Sequence, residues 1–275
     1  MYRTIILFLL FYQSSQSQTE SIIPQSHLTL PALIEIPIGT DTSYGSGFIM
    51  SSPKMNLYLV TAAHVLLDKG RLRGTSLFLT LPPDSANKQD IIRLDLACLL
   101  SMHALLPHKS ADVLLIRIGI VTAPKKRELY CAFFITESDY LHAAAYQLLQ
   151  SYQDVAIGND VYMYGYPTSI GLRPNPQFDY KLPLLRKGII AGKFKSKQTI
   201  ITDCPSYQGN SGGPVIQASP FGLGLKFKII GVVTEFIPFD ESRVNRLPPG
   251  VLNTNSGYAV IESADRILEI LKENE

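Results

Sequence analysis

The sequence predicts an all-β protein, and three observations carry that prediction. Short runs rich in Val, Ile, Leu, Phe and Tyr recur along it, at 32–36, 47–50, 57–61, 77–81, 113–118, 161–164, 199–202, 228–234 and 257–261. Gly, Pro, Asn and Ser punctuate the gaps between them. Helical spacing of apolar residues is confined to two places. Many short strands separated by turn signals build barrels or sandwiches rather than a parallel sheet. The 275 residues suit one large domain or two small ones, and 46% hydrophobic against 17% charged residues supplies a sizeable core.

Taken in order, the amino terminus reads as an export signal. Arg3 gives a positive start, residues 4–12 form an apolar stretch, and Ser15 and Ser17 place small residues for cleavage before Gln18. The apolar stretch is shorter than the roughly 20 residues that span a bilayer. A signal over 1–17, a polar lead-in over 18–29 and a mature protein that is exported, periplasmic or secreted are expected. No later segment reads as transmembrane, so no membrane partner is expected once the signal is removed. Further on, Thr136-Glu137-Ser138-Asp139 has the form of a capping box, and the Ala and Leu spacing after it predicts a helix over 140–151. A last helix follows Ser263, its expected cap, with Ile267, Leu268, Ile270 and Leu271 on one face and charges opposite.

Composition excludes several functions. The formal net charge is +2, and the basic knots at 125–127 and 193–197 lack the stripe of stacking aromatics that a nucleic-acid surface uses, so they read as solvated turns. Three cysteines, Cys98, Cys131 and Cys204, allow one disulfide at most, and buried free thiols are expected for all three. No spacing of His, Cys, Asp or Glu argues for a metal, and no cofactor is expected.

The most informative residues are Gly209-Asn210-Ser211-Gly212-Gly213-Pro214. They place a serine in a tight glycine-flanked turn that a large substrate can approach. In such a turn the amides of Gly209 and Ser211 can point at one spot, as a developing oxyanion requires. A serine hydroxyl alone is a poor nucleophile and needs a base. The same residues fit the G-x-S-x-G elbow of α/β-hydrolases, whose base follows the serine in the chain. Here all five histidines, His27, His64, His103, His108 and His142, precede Ser211, which leaves the elbow without a base.

Thr61-Ala62-Ala63-His64 resembles the histidine signature of trypsin-like serine proteases, and Gly209 to Pro214 resembles their serine signature. Ala111-Asp112-Val113-Leu114 resembles the strand whose leading aspartate orients the histidine. Gly45-Ser46-Gly47-Phe48-Ile49, Gly165-Tyr166-Pro167 and Gly257-Tyr258-Ala259-Val260 are similar to the bacterial HtrA-like branch. The resemblance implies two packed antiparallel Greek-key β-barrels, at 30–120 and 155–262, with the helix at 140–151 lying in a linker over 121–154 and the last helix at 263–275. No PDZ module is expected after that helix.

By the same resemblance, Ser211 is the nucleophile, His64 the general base and Asp112 its orienting partner, with the Gly209 and Ser211 amides as oxyanion donors. Asn210 stands where trypsin has an aspartate that pairs with a new amino terminus, so no such zymogen switch is expected. The primary pocket is expected around Pro205, Gln208, Thr234, Phe236 and Tyr258. Pro205 replaces trypsin's pocket aspartate and Phe236 a frequent glycine, which points to a small or medium apolar side chain. Glu235 offers the opposite, a carboxylate for a cationic one. The four-proline stretch 167–187 is expected to form a loop over the second barrel. The implied activity is peptide-bond hydrolysis on a protein or peptide substrate. The alternatives are an inactive binding protein on the same scaffold, or an ester hydrolase using the same three residues.

Overall fold

The computed structural model describes residues 22–83, 88–123, 126–136, 141–169, 177–240 and 253–275. The expected export signal, most of the lead-in, the capping-box residues 137–139 and residues 170–176 of the proline loop lie outside the described residues.

The first unit holds β1 (Pro31–Ile38), β2 (Asp41–Ser51), β3 (Asn56–Thr61), β4 (Leu67–Asp68), β5 (Arg71–Leu72), β6 (Ser76–Thr80), β7 (Ile91–Asp95), β8 (Leu105–Pro107), β9 (Leu114–Ala123), β10 (Lys126–Leu129), β11 (Ala132–Thr136) and β12 (Ala144–Ala145). Its main sheet runs β10-β9-β3-β2-β1-β6-β7-β11, with β8 added to β9 and β12 to β2, while β4 and β5 pair apart. The second unit holds β13 (Asp160–Gly165), β14 (Leu184–Phe194), β15 (Thr199–Asp203), β16 (Pro214–Phe221), β17 (Gly224–Asp240) and β18 (Asn253–Ser263). These close a barrel in the order β13-β14-β15-β18-β17-β16.

Strand alternation sorts side chains into three cores. In β3, Leu57 and Leu59 enter the first unit's interior, whereas Tyr58 and Val60 enter the seam between the units. β9 divides likewise, Leu114, Ile116 and Ile118 inward and Leu115 to the seam. In the second barrel Val161 and Met163 face its interior and Tyr162 the seam. Such strands are buried on both faces, which is why they read as continuous apolar runs.

The last helix, Ala264–Asn274, closes the seam with Ile267, Ile270 and Leu271. Ser263 occupies its N-cap position, but the hydroxyl makes no capping bond. Side chains of this helix reach across to the first unit. His108 lies 2.7 Å from Glu269, and Lys109 lies 2.8 Å from Glu273. Beyond the helix, Glu275 Oε1 accepts hydrogen bonds from Ser52 at 2.6 Å, Asn56 at 2.7 Å and Tyr58 at 2.9 Å.

Three expectations are corrected. The helix expected over 140–151 does not form across its described residues, 141–151. Ala144 and Ala145 instead pair with Met50 and Ser51, and Gln150 N–H bonds to the Ile229 carbonyl at 2.9 Å. Tertiary pairing overrides the local propensity, leaving single 3₁₀ turns at Tyr146–Leu148 and Tyr152–Asp154. Residues 126–136, expected in the linker, extend the first sheet as its edge strands β10 and β11. Cys98 and Cys131 are joined in a disulfide, and only Cys204 keeps a free, buried thiol.

The disulfide closes a 33-residue separation, for which the chain-entropy estimate is about 3–4 kcal/mol. A thiol titration should find no reactive group in the native protein, one after denaturation and three after reduction. The double variant Cys98→Ala/Cys131→Ala should lower unfolding free energy in urea by about 2–4 kcal/mol.

Burial opposes ionisation of Glu275, but the bonds from Ser52, Asn56 and Tyr58 outweigh it and hold the carboxyl below the ordinary glutamate value. The folded value lies beneath the unfolded one. This contact therefore stabilises at neutral pH and is lost as pH falls through the folded value. Urea unfolding in steps below about pH 5 should show a shallower acid loss for Glu275→Gln than for the parent.

Candidate active site

Strand register brings His64 and Asp112 together. β3 pairs with β9 so that Thr61 faces Leu114, and the amide of Ala63 bonds to the Asp112 carbonyl at 3.3 Å. His64 follows in the short helix Ala63–Leu66. Its Nδ1 lies 2.5 Å from Asp112 Oδ2, and its backbone amide donates to Oδ1 at 2.9 Å. A carboxylate only accepts, so this contact puts the imidazole proton on Nδ1 and leaves Nε2 with a lone pair. Arg73 Nε donates to the His64 carbonyl at 3.0 Å.

The turn ahead of Asp112 is built on His108, whose role the sequence did not signal. Its Nδ1 accepts from the amides of Ser110 at 3.1 Å and Ala111 at 2.9 Å. That fixes the other tautomer, in which Nε2–H points at Glu269. The ring thus anchors two residues adjoining Asp112 to the last helix.

Ser211 sits in the loop before β16. Tyr207 to Asn210 form a turn closed by Asn210 N–H to the Tyr207 carbonyl at 2.9 Å, with φ +98° at Gly209. Positive φ at the third residue alone is the type II signature and selects glycine. A Cβ on Gly209 would lie 2.2 Å from the Tyr166 carbonyl oxygen. The amides of Gly209 and Ser211 have no hydrogen-bond partner among the described residues.

Buried Ser46 of β2 fixes this loop. Its hydroxyl donates to the Gly209 carbonyl at 2.6 Å and accepts from Tyr166 N–H at 2.9 Å, while its amide donates to the Ser211 carbonyl at 2.8 Å. Gly212, at φ +86°, packs on Thr61 and Ala62, where a Cβ would meet Thr61 Oγ1 at 2.1 Å. The serine loop therefore lies against the strand end that leads into His64. Asn210 is 3% exposed, and its Oδ1 has no hydrogen-bond partner among the described residues.

A cleft of about 810 Å³ opens beside His64 and Asp112, walled also by Phe194, Thr234, Glu235 and Glu262. Of the expected pocket residues only Thr234 lines it. Pro205, Gln208, Phe236 and Tyr258 stand outside it, Phe236 and Tyr258 on β17 and β18. Burial raises the Glu262 carboxyl above its ordinary value despite nearby Arg266. Burial also raises the Cys204 thiol to about 11, which suits an inert packing residue. Among the described residues no cluster of His, Cys, Asp or Glu is placed to hold a metal ion.

The family model for the trypsin-like peptidase domain matches residues 45–222. Among solved structures, the chain is similar to the serine endoprotease from Yersinia pestis at 15% identity and TM-score 0.52, covering 90% of this chain and 64% of that one. It is also similar to the HtrA-type protease AlgW with tripeptide at 16% identity and TM-score 0.53, covering 90% of this chain and 61% of that one. The chain thus spans under two thirds of the length of these proteins. No curated protein matches the chain. The matched segment is more than half of the sequence and contains His64, Asp112 and Ser211 within one two-unit β fold: the chain belongs to the trypsin-like peptidase domain family.

Proposed function

We propose that the protein is an exported serine endopeptidase. The observation that carries this reading is the 2.5 Å contact between His64 Nδ1 and Asp112, which leaves Nε2 as the base. In this mechanism Ser211 Oγ attacks the scissile carbonyl carbon while His64 Nε2 takes its proton. The carbonyl oxygen becomes an oxyanion, held by the Gly209 and Ser211 amides. The imidazolium returns the proton to the leaving amine as the C–N bond breaks. Water, deprotonated by His64, then hydrolyses the acyl-enzyme and frees Ser211.

Asp112 stays ionised throughout, holding the ring and stabilising its cation. The substrate is a polypeptide laid in the cleft beside Thr234 and Glu235, with a small or medium apolar side chain in the primary pocket. Export is supported by the leader over residues 1–17 and by the Cys98–Cys131 bridge, a bond that oxidising compartments maintain.

Fluorophosphonate labelling of the wild type should be strong and should vanish in Ser211→Ala. A folded wild type that takes no label would instead be an inactive binding protein. A labelled protein that cleaves esters but no member of a peptide library would be an ester hydrolase.

His64→Ala should abolish most turnover with little change in thermal stability. Asp112→Asn should cost about 10⁴ in kcat by imposing the wrong imidazole tautomer. Gly209→Ala should lower kcat by about 10²–10³ with KM less affected, because it turns an oxyanion amide away. His108→Ala should slow acylation through a displaced Asp112, whereas His108→Asn, whose carbonyl can accept from the 110 and 111 amides, should restore most of the rate.

A further inference from the structure

One end of the second barrel presents an apolar and basic face that meets the cleft only along the β14–β15 hairpin. Relative to β13, which begins at Asp160, both hairpins beside it project further. Asp160 pairs with Ile189 and Val161 with Gln217, yet β14 continues to Phe194 and β16 to Phe221. The segment 155–159 ties the two hairpins together. Gly158 N–H bonds to the Ile190 carbonyl at 2.9 Å, Ala156 N–H to Gln217 at 3.1 Å, and Asn159 to Ser219 at 3.2 Å.

The outermost side chains on this end are apolar. Leu223 is fully exposed at the tip of the β16–β17 hairpin, with Phe221 at 69% and Leu225 at 47%, while Ile157 is 62% and Phe194 52% exposed. A two-residue hairpin turn ordinarily carries Gly, Asn or Asp, so folding alone does not call for leucine at this apex. Lys193, Lys195, Lys197, Lys226 and Lys228 flank these residues, against the carboxylates of Asp154 and Asp160 beside the 155–159 segment, the second of them paired with Lys187 at 2.8 Å. The Lys226 ammonium lies 5.9 Å from the Phe221 ring centre, just behind the tip.

Protruding apolar tips from three segments, with ammonium groups set behind them, suit a soft surface that is apolar inside and anionic outside. A protein partner would need separate sockets for each tip. We propose that this end of the second barrel docks on anionic lipid bilayers. Phe221, Leu223 and Phe194 enter the boundary between headgroups and acyl chains, and Lys195, Lys197 and Lys226 meet lipid phosphates. The β14–β15 hairpin also walls the cleft through Phe194 and Lys197, so docking brings the cleft beside the membrane. The docking itself does not depend on the peptidase reading.

The chain contains no tryptophan, so Leu223→Trp in the full chain gives a single reporter at the tip. With vesicles of 70:30 phosphatidylcholine:phosphatidylglycerol its emission should shift to the blue and be quenched by brominated acyl chains. Pure phosphatidylcholine vesicles should give little change, and Phe133→Trp, on the exposed edge of the first unit, should give none. Adding Lys195→Glu, Lys197→Glu and Lys226→Glu should weaken partition at least tenfold, as should raising salt. Phe221→Ser should weaken it about tenfold. Co-sedimentation with an unshifted Leu223→Trp spectrum would mean attachment through another segment and would overturn the proposal. A shift that appears on concentration alone, or with heparin but not with vesicles, would assign the face to a second copy or to an acidic polymer, and would also overturn it.

Discussion

One buried serine holds the two units in register at the cleft. Ser46 belongs to a strand of the first unit, yet its hydroxyl bonds to Gly209 and Tyr166 of the second and its amide to Ser211. Its carbonyl accepts from Thr61, three residues before His64. Both of the residue's donors, the amide and the hydroxyl, are thus committed to the serine loop. A hydroxyl that donates and accepts at once serves both units, and alanine there would strand a buried carbonyl and a buried amide. The side chain fixes the Gly209 carbonyl, and the backbone of the same residue fixes Ser211 through its amide and Thr61 through its carbonyl.

The fold was legible where the physics is local or where both faces of a strand are buried. All nine apolar runs lie on strands, because a run such as 57–61 must fill the first core and the seam together. The charged edge strand Lys126–Leu129 escaped notice because one of its faces is solvated and its pattern resembles a turn. The stretch 141–151 misled in the opposite direction. Its alanines and leucines favour a helix, but Ala144 can pair with β2, and distant partners decided the outcome. The Cys98–Cys131 pairing was invisible because spacing alone does not reveal which thiols approach.

The site divides in the same way. His64, Asp112 and Ser211 stood out because each sits in a short signature, and glycine at 209 and 212 is demanded by positive φ and by contacts that no Cβ could enter. His108 stood in no signature. Its importance comes from Glu269, 161 residues later, and from two amides next to Asp112. The expected pocket residues were read from position in a motif, and only Thr234 faces the large cleft. Where a side chain points depends on bulges such as the one between Val233 and Glu235, which sequence spacing does not encode.

The covalent ring closed by Cys98 and Cys131 encloses Asp112 within its span. In an oxidising milieu that ring restricts the wandering of the very stretch that supplies the carboxylate, even before β9 has docked on β3. In the folded protein β9 pairing and the His108 ring hold the same stretch, so reduction removes one tether of several. The crosslink therefore bears on the unfolded chain more than on the finished site: it narrows the excursions open to the segment carrying the carboxylate before the strands close.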